Sequence, residues 1–343
     1  MKKLRVIVLM HEDLVPPKSI DGLTDEAIQP WKSEYDVLAG LEHLGHDVRP
    51  LGVSSDLGVM RDAIVEWKPD IAFNLLEEFH GISVYDQHVI SYLELMRQPY
   101  TGCNPRGLML AHDKALSKKI MAYHRILTPK FVVVPLGSTV KLPHQLSYPL
   151  VVKSLTEEAS LGIAQASIVT SEARLKERVA FVHEQLKTDV IVEQYIEGRE
   201  LYVSILGSLR LQTLPIWEML FTKMPEQIPH IATAKVKWDF KYQKKHGIIT
   251  QAAKDLPPGA ETQIARLCKR VYRVLNQSGY SRIDLRMTAE GQVYVLEANP
   301  NPNLAYGEDF AESAEACGIK YEPLLQRILN LGLAYPAAWK AQL

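Results

Sequence analysis

Arg282, Asp284, Glu297 and Asn299 carry the strongest chemical signal in this sequence. They lie in SRIDLRMTAEGQVYVLEANPNPNLAYG, residues 281–307. Apolar alternation over residues 283–287 and 292–296, with a turn at Glu290 and Gly291 between them, predicts a β-hairpin. The alternation puts Arg282, Asp284 and Arg286 on one face, and gives Glu297 and Asn299 a common side. Three oxygen donors beside an arginine suit hard Mg²⁺ ions that bridge phosphate oxygens, with the arginine held for an anion. The competing description is a solvent-facing hairpin with an ordinary charged face. The NPNPN string directly after the second strand, a costly and rigid way to end it, favours the metal site.

Further candidates are spread upstream. Lys153 ends a mostly apolar strand, an expensive place for a cation unless an anion meets it. Lys114 stands early in a helix; either lysine alone is more often a snorkelling surface residue. Together with the hairpin carboxylates they could hold the two ends of a polyphosphate. The loop 154–162, with Ser160 and Gly162, could offer backbone N–H groups to a phosphate, although Thr156, Glu157 and Glu158 fill its middle. The strand VIVEQYIEGREL could face a flat base with its edge amides, with Glu200 beyond it for ribose hydroxyls; an ordinary strand with charged ends fits the same letters. The lysine-dense segment KVKWDFKYQKKHG, residues 235–247, is either a solvated face or a loop that closes on phosphates.

The elements that must position these groups alternate along the chain. Residues 4–10 read as a strand and 33–44 as a helix with Ser33 as N-cap and Gly45 past its end. Strand signals recur at 47–51 and 70–76, and 85–96 is helical, so a parallel sheet wound with helices is expected. After the strand at 4–10, MHEDLVPP stands where a dinucleotide fold has its glycine-rich phosphate turn, which excludes a nicotinamide site there. A second module holds the helix DKALSKKIMAYHRI, strands FVVVP, PLVVKSL and VIVEQYI, and the helix SEARLKERVAFVHEQL. A third begins with two strand-like runs around Gly207 and Ser208. Its helix at 261–278 places Ile264, Leu267, Cys268, Val271, Val274 and Leu275 on one stripe and stops at Gly279.

Composition narrows the class. The 343 residues suffice for two or three domains, and 47% hydrophobic with 23% charged residues is ordinary for a soluble globular chain. With 39 Lys plus Arg against 40 Asp plus Glu the net charge is -1, which offers no field for nucleic acid or an anionic membrane. Cys103, Cys268 and Cys317 lack metal-ligand spacing and, being 3 in number, suggest a reduced cytoplasmic chain. The opening MKKLRVIVLM is too short and too charged for a signal peptide, and no run approaches the ~20 apolar residues of a membrane span.

The order Lys114, Lys153, loop, Glu193, Glu200, RID, LEAN resembles the ATP-grasp superfamily, and most closely the D-alanine–D-alanine ligases. The resemblance covers nearly the whole chain and is sharpest from about Leu150 onwards. It implies an α/β, three-module architecture with modules 1–103, 104–197 and 198–343, and a nucleotide site between the central and C-terminal ones. By the same resemblance Lys114 and Lys153 hold the α- and β-phosphates, with Ser160 in the phosphate loop. Glu193, Gln194, Tyr195 and Ile196 form the adenine hinge and Glu200 takes the ribose. Asp284, Glu297 and Asn299 bind two Mg²⁺, with Mn²⁺ as the alternative ion, and Arg282 stands at the reacting phosphoryl group. WDFKY matches the family's mobile loop, which makes Lys241 a γ-phosphate contact and Tyr242 a lid residue.

The departures from the family are equally specific. The early glycine–glycine–serine–glutamate segment, which grips the first amino acid's ammonium, has no counterpart near residues 11–17. His80 and Gly81 match the family, but the acidic, glycine-rich string that should follow is ISVYDQ. Ala159 stands in place of a serine and Glu158 in place of a glycine. After Asn299 the family's threonine–serine–proline–glycine becomes Pro300, Asn301, Pro302, Asn303. The expectation is therefore an ATP-dependent carboxylate–amine ligase working through an acyl phosphate on small-molecule substrates, with a pair other than two D-alanines. A D-alanine–D-alanine ligase proper, an ATP-grasp kinase and a non-catalytic nucleotide binder are the alternatives. No nucleic acid or membrane partner is expected; a homodimer is compatible with the sequence.

Overall fold

The structure, a computed structural model, describes residues 2–156, 164–225 and 230–342. Its first sheet is parallel, in the order β2-β1-β3, from β1 (Arg5–His11), β2 (Asp47–Val53) and β3 (Ile71–Asn74). The near-continuous apolar run of β1 follows from burial on both faces. Val6, Val8 and Met10 enter one core, Ile7 and Leu9 the other. The helices of this region are the short α1 (Asp25–Ile28), α2 (Lys32–His43), α3 (Leu57–Trp67), α4 (Asp86–Leu95) and α5 (Pro105–His112). Ser33 is not the N-cap of α2: a 3₁₀ turn over Gln29–Trp31 runs straight into the helix and leaves Trp31 at that position. Gly45 follows the helix at φ 81°, the left-handed conformation a helix end commonly takes. The sequence reading omitted α3, whose N-cap Asp56 accepts the Gly58 N–H.

The second sheet is antiparallel, ordered β4-β7-β5-β6, and its helices are α6 (Lys114–Tyr123) and α7 (Glu172–Leu186). Its strands are β4 (Phe131–Val134), β5 (Leu150–Ser154), β6 (Ile168–Val169) and β7 (Val190–Gln194). Ser171 caps α7 by accepting the Arg174 N–H. Leu150, Val152, Val190 and Val192 pack under α7 on one face, which leaves Lys153 and Glu193 on the other.

The third sheet is antiparallel along β11-β10-β8-β12-β13, with the two-residue β9 (Gln212–Thr213) paired to β8 (Arg199–Leu206). The remaining strands are β10 (Trp217–Phe221), β11 (Ile248–Ala252), β12 (Tyr280–Met287) and β13 (Val293–Pro300). The lysine-dense segment forms two short helices, α8 (Ala234–Trp238) and α9 (Phe240–His246), capped by Thr233 and Asp239. Helix α10 (Ala260–Val274) buries Ile264, Cys268 and Val271 against the sheet. Two helices follow, α11 (Asp309–Glu315) and α12 (Tyr321–Ala334).

The hydrophobic cores do not follow chain order. Leu324, Leu325, Ile328 and Leu329 of α12 pack against Val6, Val8 and Phe73 of the first sheet. Met121 of α6 and the nearby Ile126 pack instead on the third sheet. Where these regions meet, Asn301 accepts the Cys103 N–H at 2.8 Å, just past the end of β13. A side chain at Gly102 (φ 92°) would lie 2.4 Å from the Asn301 oxygen, so only glycine admits this clasp. No helix among the described residues is long and apolar enough to cross a membrane.

Candidate nucleotide site

The hairpin of β12 and β13 delivers its donors through a bulge. Arg282 pairs with Asn299 and Asp284 with Glu297, but Leu285 pairs with Val295, so Leu296 is an extra residue. Before it, Val295 packs with Leu285 and Met287 in the core; beyond it, Ala298 takes the core face beside Ile283. The bulge thus reverses parity and turns Glu297 and Asn299 toward Asp284 and Arg282. Strict alternation would have kept Glu297 on the side of Val295, a burial its charge could not support.

The opposite wall is the free face of the second sheet. Lys153 Nζ lies 3.2 Å from Glu193 Oε2, and Lys118 Nζ lies 3.2 Å from Oε1 of the same carboxylate. Lys118 Nζ also donates to the Leu296 carbonyl at 2.7 Å, on the bulge itself. One cleft between the two sheets is lined by Lys153, Glu193, Gln194, Tyr195 and Ile196 on one side. Glu200, Lys237, Asp284, Arg286 and Glu297 line the other. The cleft therefore gathers most of the residues singled out in the sequence.

The placement of the others differs. Lys114, at the start of α6, is buried, and its charge acts on Glu297. Asn299 follows Glu297 on the same face, with its Nδ2 buried and without a hydrogen-bond partner. The Glu193 carboxylate is taken by two lysines, so any contribution of that residue to a base falls to its backbone. The Tyr195 N–H donates to Pro149 and the Gln194 side chain binds the Ser147 N–H and the Pro149 carbonyl. Glu200 is buried; Arg286 binds one oxygen at 2.6 Å and the Tyr202 hydroxyl donates to the other at 3.0 Å. Lys241 stands apart from the cleft, 92% exposed and 3.9 Å from Glu26. Tyr242 leans on His246 at 4.3 Å and on the Trp217–Val236 cluster. Ser160, with the rest of its loop, lies outside the described residues.

Three charged residues that sequence reasoning left without a role are thereby identified: Lys118, Lys237 and Arg286. Lys118 had a signal, since it falls one helical turn after Lys114 on the buried stripe shared with Ser117 and Met121. Nothing in the letters separates Lys237 from its lysine neighbours.

Charge in the cleft is strongly arranged. Burial works to raise Glu297, but Lys114, Lys153, Lys237 and Arg282 outweigh it and hold the carboxyl at about 2. Asp284 is raised by burial, against the opposing pull of Arg282. Arg282 clasps Asp284 through two hydrogen bonds, 2.7 and 2.9 Å, and lies over the Tyr202 ring at 4.8 Å. Burial also penalises Glu193, yet Lys118 and Lys153 bring it below the ordinary carboxylate range. Among the described residues no group of three or more His, Cys, Asp or Glu side chains could hold a metal. Two carboxylates and an amide are a set that holds a hard ion only with phosphate and water oxygens completing it, the usual arrangement for Mg²⁺ beside a nucleotide. The residues fit that ion: every donor is oxygen and one carboxylate is firmly ionised.

The chain is similar in sequence and fold to known proteins. Residues 119–330 match the family model described as D-ala D-ala ligase C-terminus. A D-alanine–D-alanine ligase of Geobacter sulfurreducens is 31% identical, over 90% of this chain and 90% of its own. The one from Desulforudis audaxviator is 29% identical, over 90% and 95%. An uncharacterised Sinorhizobium fredii protein, y4sG, is 30% identical over 88% and 89%. The ATP complex of the Bacillus anthracis D-alanine–D-alanine ligase superposes with a TM-score of 0.72 at 25% identity, covering 96% of this chain and 97% of that one.

Proposed function

The chain belongs to the D-alanine–D-alanine ligase family, and from that premise we propose that it is an ATP-dependent carboxylate–amine ligase whose substrate pair is not two D-alanines. The observation that carries the chemistry is the convergence of Lys153, Lys237, Asp284 and Glu297 in one cleft with the Gln194–Ile196 edge. In this reading Lys114 and Lys153 bind the α- and β-phosphates and the segment Gln194–Ile196, at the C-terminal end of β7, receives the adenine. Two Mg²⁺ ions, or Mn²⁺ in their place, would be held by Asp284, Glu297 and Asn299 and would neutralise the phosphate charge. A substrate carboxylate attacks the γ-phosphorus, whose bond to the β–γ bridging oxygen breaks, giving an acyl phosphate and releasing ADP. An amine then displaces phosphate from the acyl carbon, with Arg282, fixed by Asp284 and Tyr202, facing the developing oxyanion. The residues 235–247 serve as the lid, with Lys237 already at the cleft. Lys241 and Tyr242 would have to swing in from their present positions to reach the γ-phosphate.

The departure from D-alanine rests on missing charge partners. A desolvated ammonium costs several kcal/mol unless acceptors receive it, and the family's glutamate for that task has no match. At the C-terminal end of β1 stands His11, 3.5 Å from Glu78 and 3.6 Å from Asp13. Asn303 replaces the family's glycine and folds its side chain back onto the Ala305 N–H at 2.8 Å. With Glu77 and His80 nearby in sequence, and Glu157 and Glu158 outside the described residues, this acidic surround favours a cationic or polyamine substrate. A cytoplasmic location and a homodimer belong to the same reading. Phosphate release with D-alanine alone tests it: saturable turnover at ~1–10³ s⁻¹ would make this a plain D-alanine–D-alanine ligase. Phosphate release dependent on another acid and amine is the expected result.

A further inference from the structure

Lys118 is the most deeply buried cation near the cleft, with a side chain 1% exposed, and no step of the proposed reaction uses it. A lysine ammonium without water needs full compensation. Its partners are specific: Glu193, itself 2% exposed, and the carbonyl of the bulge residue Leu296. Glu193 in turn holds Lys153, whose side chain is 14% exposed and reaches the cleft. The row therefore reads bulge carbonyl, Lys118, Glu193, Lys153, cleft.

We propose that Lys118 is a positioning residue that neutralises Glu193, so that the charge of Lys153 remains available to a polyphosphate, and that pins the Leu296 bulge which aims Glu297. Glu193 alone would cancel Lys153: one carboxylate against one ammonium leaves no surplus for an anion. With Lys118 included, two cations share one carboxylate, and the surplus positive charge lies at the end that water and ligand can reach. The second contact acts on the opposite wall. Leu296 is the residue that the ladder register skips, between the pairs Asp284–Glu297 and Leu285–Val295, and its carbonyl accepts from the Lys118 ammonium. Lys118 supplies the donor, and so couples the phosphate wall to the metal wall through one ammonium.

This inference rests on the reading of the cleft as a nucleotide site, and the test separates the two. ATP·Mg²⁺ binding to the wild-type chain is measured first by calorimetry; no binding there would overturn the nucleotide reading itself. Lys118→Met should weaken ATP·Mg²⁺ on the order of tenfold or more, since truncating one partner of a buried charge pair leaves the other unpaired. Lys118→Gln, which keeps a donor but not the charge, should weaken it similarly. Adding Glu193→Gln to Lys118→Met removes the surplus negative charge and should return affinity to within a few-fold of wild type. The expected split is a rise in KM for ATP that the double variant reverses, with a lower kcat that it does not, because the bulge carbonyl still lacks its donor. Melting curves accompany each variant. Unchanged ATP affinity in folded Lys118→Met, or loss of folding in both single variants and the double alike, would make Lys118 a structural ion only and overturn the proposal.

Discussion

Replacing Glu297 by Gln probes the cleft most directly, because it removes one negative charge at nearly constant volume. In the wild type four cations, Lys114, Lys153, Lys237 and Arg282, face this carboxylate and hold it at about 2, against an ordinary 4.5. That difference corresponds to at most about 3 kcal/mol of folding stability at neutral pH, and less where water reaches the open side of the carboxyl. The sign is fixed by the depression. The contribution is fully present above the unfolded value of 4.5 and is lost as the pH falls toward about 2. Glu297→Gln should therefore melt lower than wild type at pH 7, and the two melting curves should converge in acid. Turnover should fall by at least ~10³-fold, because a ligand charge that bridges metal and phosphate acts in the transition state. Metal-free ATP should behave oppositely and bind more tightly, since the four cations lose their resident anion. An unchanged rate at saturating Mg²⁺ would refute the assignment of Glu297, and weaker metal-free ATP binding would refute the charge argument.

Other perturbations follow from the same geometry. Arg286→Met should cost about 3–5 kcal/mol, because it strands the buried Glu200 carboxylate and leaves the Gly198 and His230 carbonyls without their donor; an unchanged urea midpoint would contradict this. Gly198→Ala should destabilise the chain and impair ATP binding, since φ is 145° and a Cβ would stand 2.1 Å from the Met287 carbonyl oxygen; wild-type KM and melting would rule that out. Burial raises Glu34 to about 7 from 4.5, so its unfolded form releases the proton first and stability should fall as the pH rises from 4.5 through about 7. Glu34→Gln should flatten that fall, as read from melting curves across the range. ATP with Mg²⁺ should protect residues 235–247 from proteolysis, and equal cleavage with and without nucleotide would argue against a lid.

How much of this was legible in the letters depends on the kind of order involved. Strands and helices whose burial is uniform declared themselves: β1 by its apolar run, α10 by its stripe, the hairpin by its turn at Gly291. The partners Asp284 and Arg282 were legible too, because alternation along one strand needs no second strand. What alternation could not express is the Leu296 bulge, a register event between two strands, which alone explains why Val295 and Glu297 point oppositely. Lys118 showed in the letters only as a helix-face neighbour of Lys114; the partners that bury it lie on β7 and β13, both distant in sequence. Lys237 and Lys241 show the limit of composition, for a run of lysines carries no mark of which one meets the cleft and which meets water.

The return of α12 to the first sheet has a consequence for how the protein is made. The face formed by Val6, Val8, Met10 and Phe73 is closed by Leu324, Leu325, Ile328 and Leu329, which are synthesised long after the strands they cover. At ordinary synthesis rates that face waits roughly ten seconds to a minute for its cover. During this interval the nascent chain presents a parallel sheet covered on that face only in part, by Val37 and Leu41 of α2, a surface suited to holding chaperones and prone to association with other chains. A protein truncated after α11 should then be synthesised in full length yet collect in the insoluble fraction, and supplying the missing helix in trans should recover part of it.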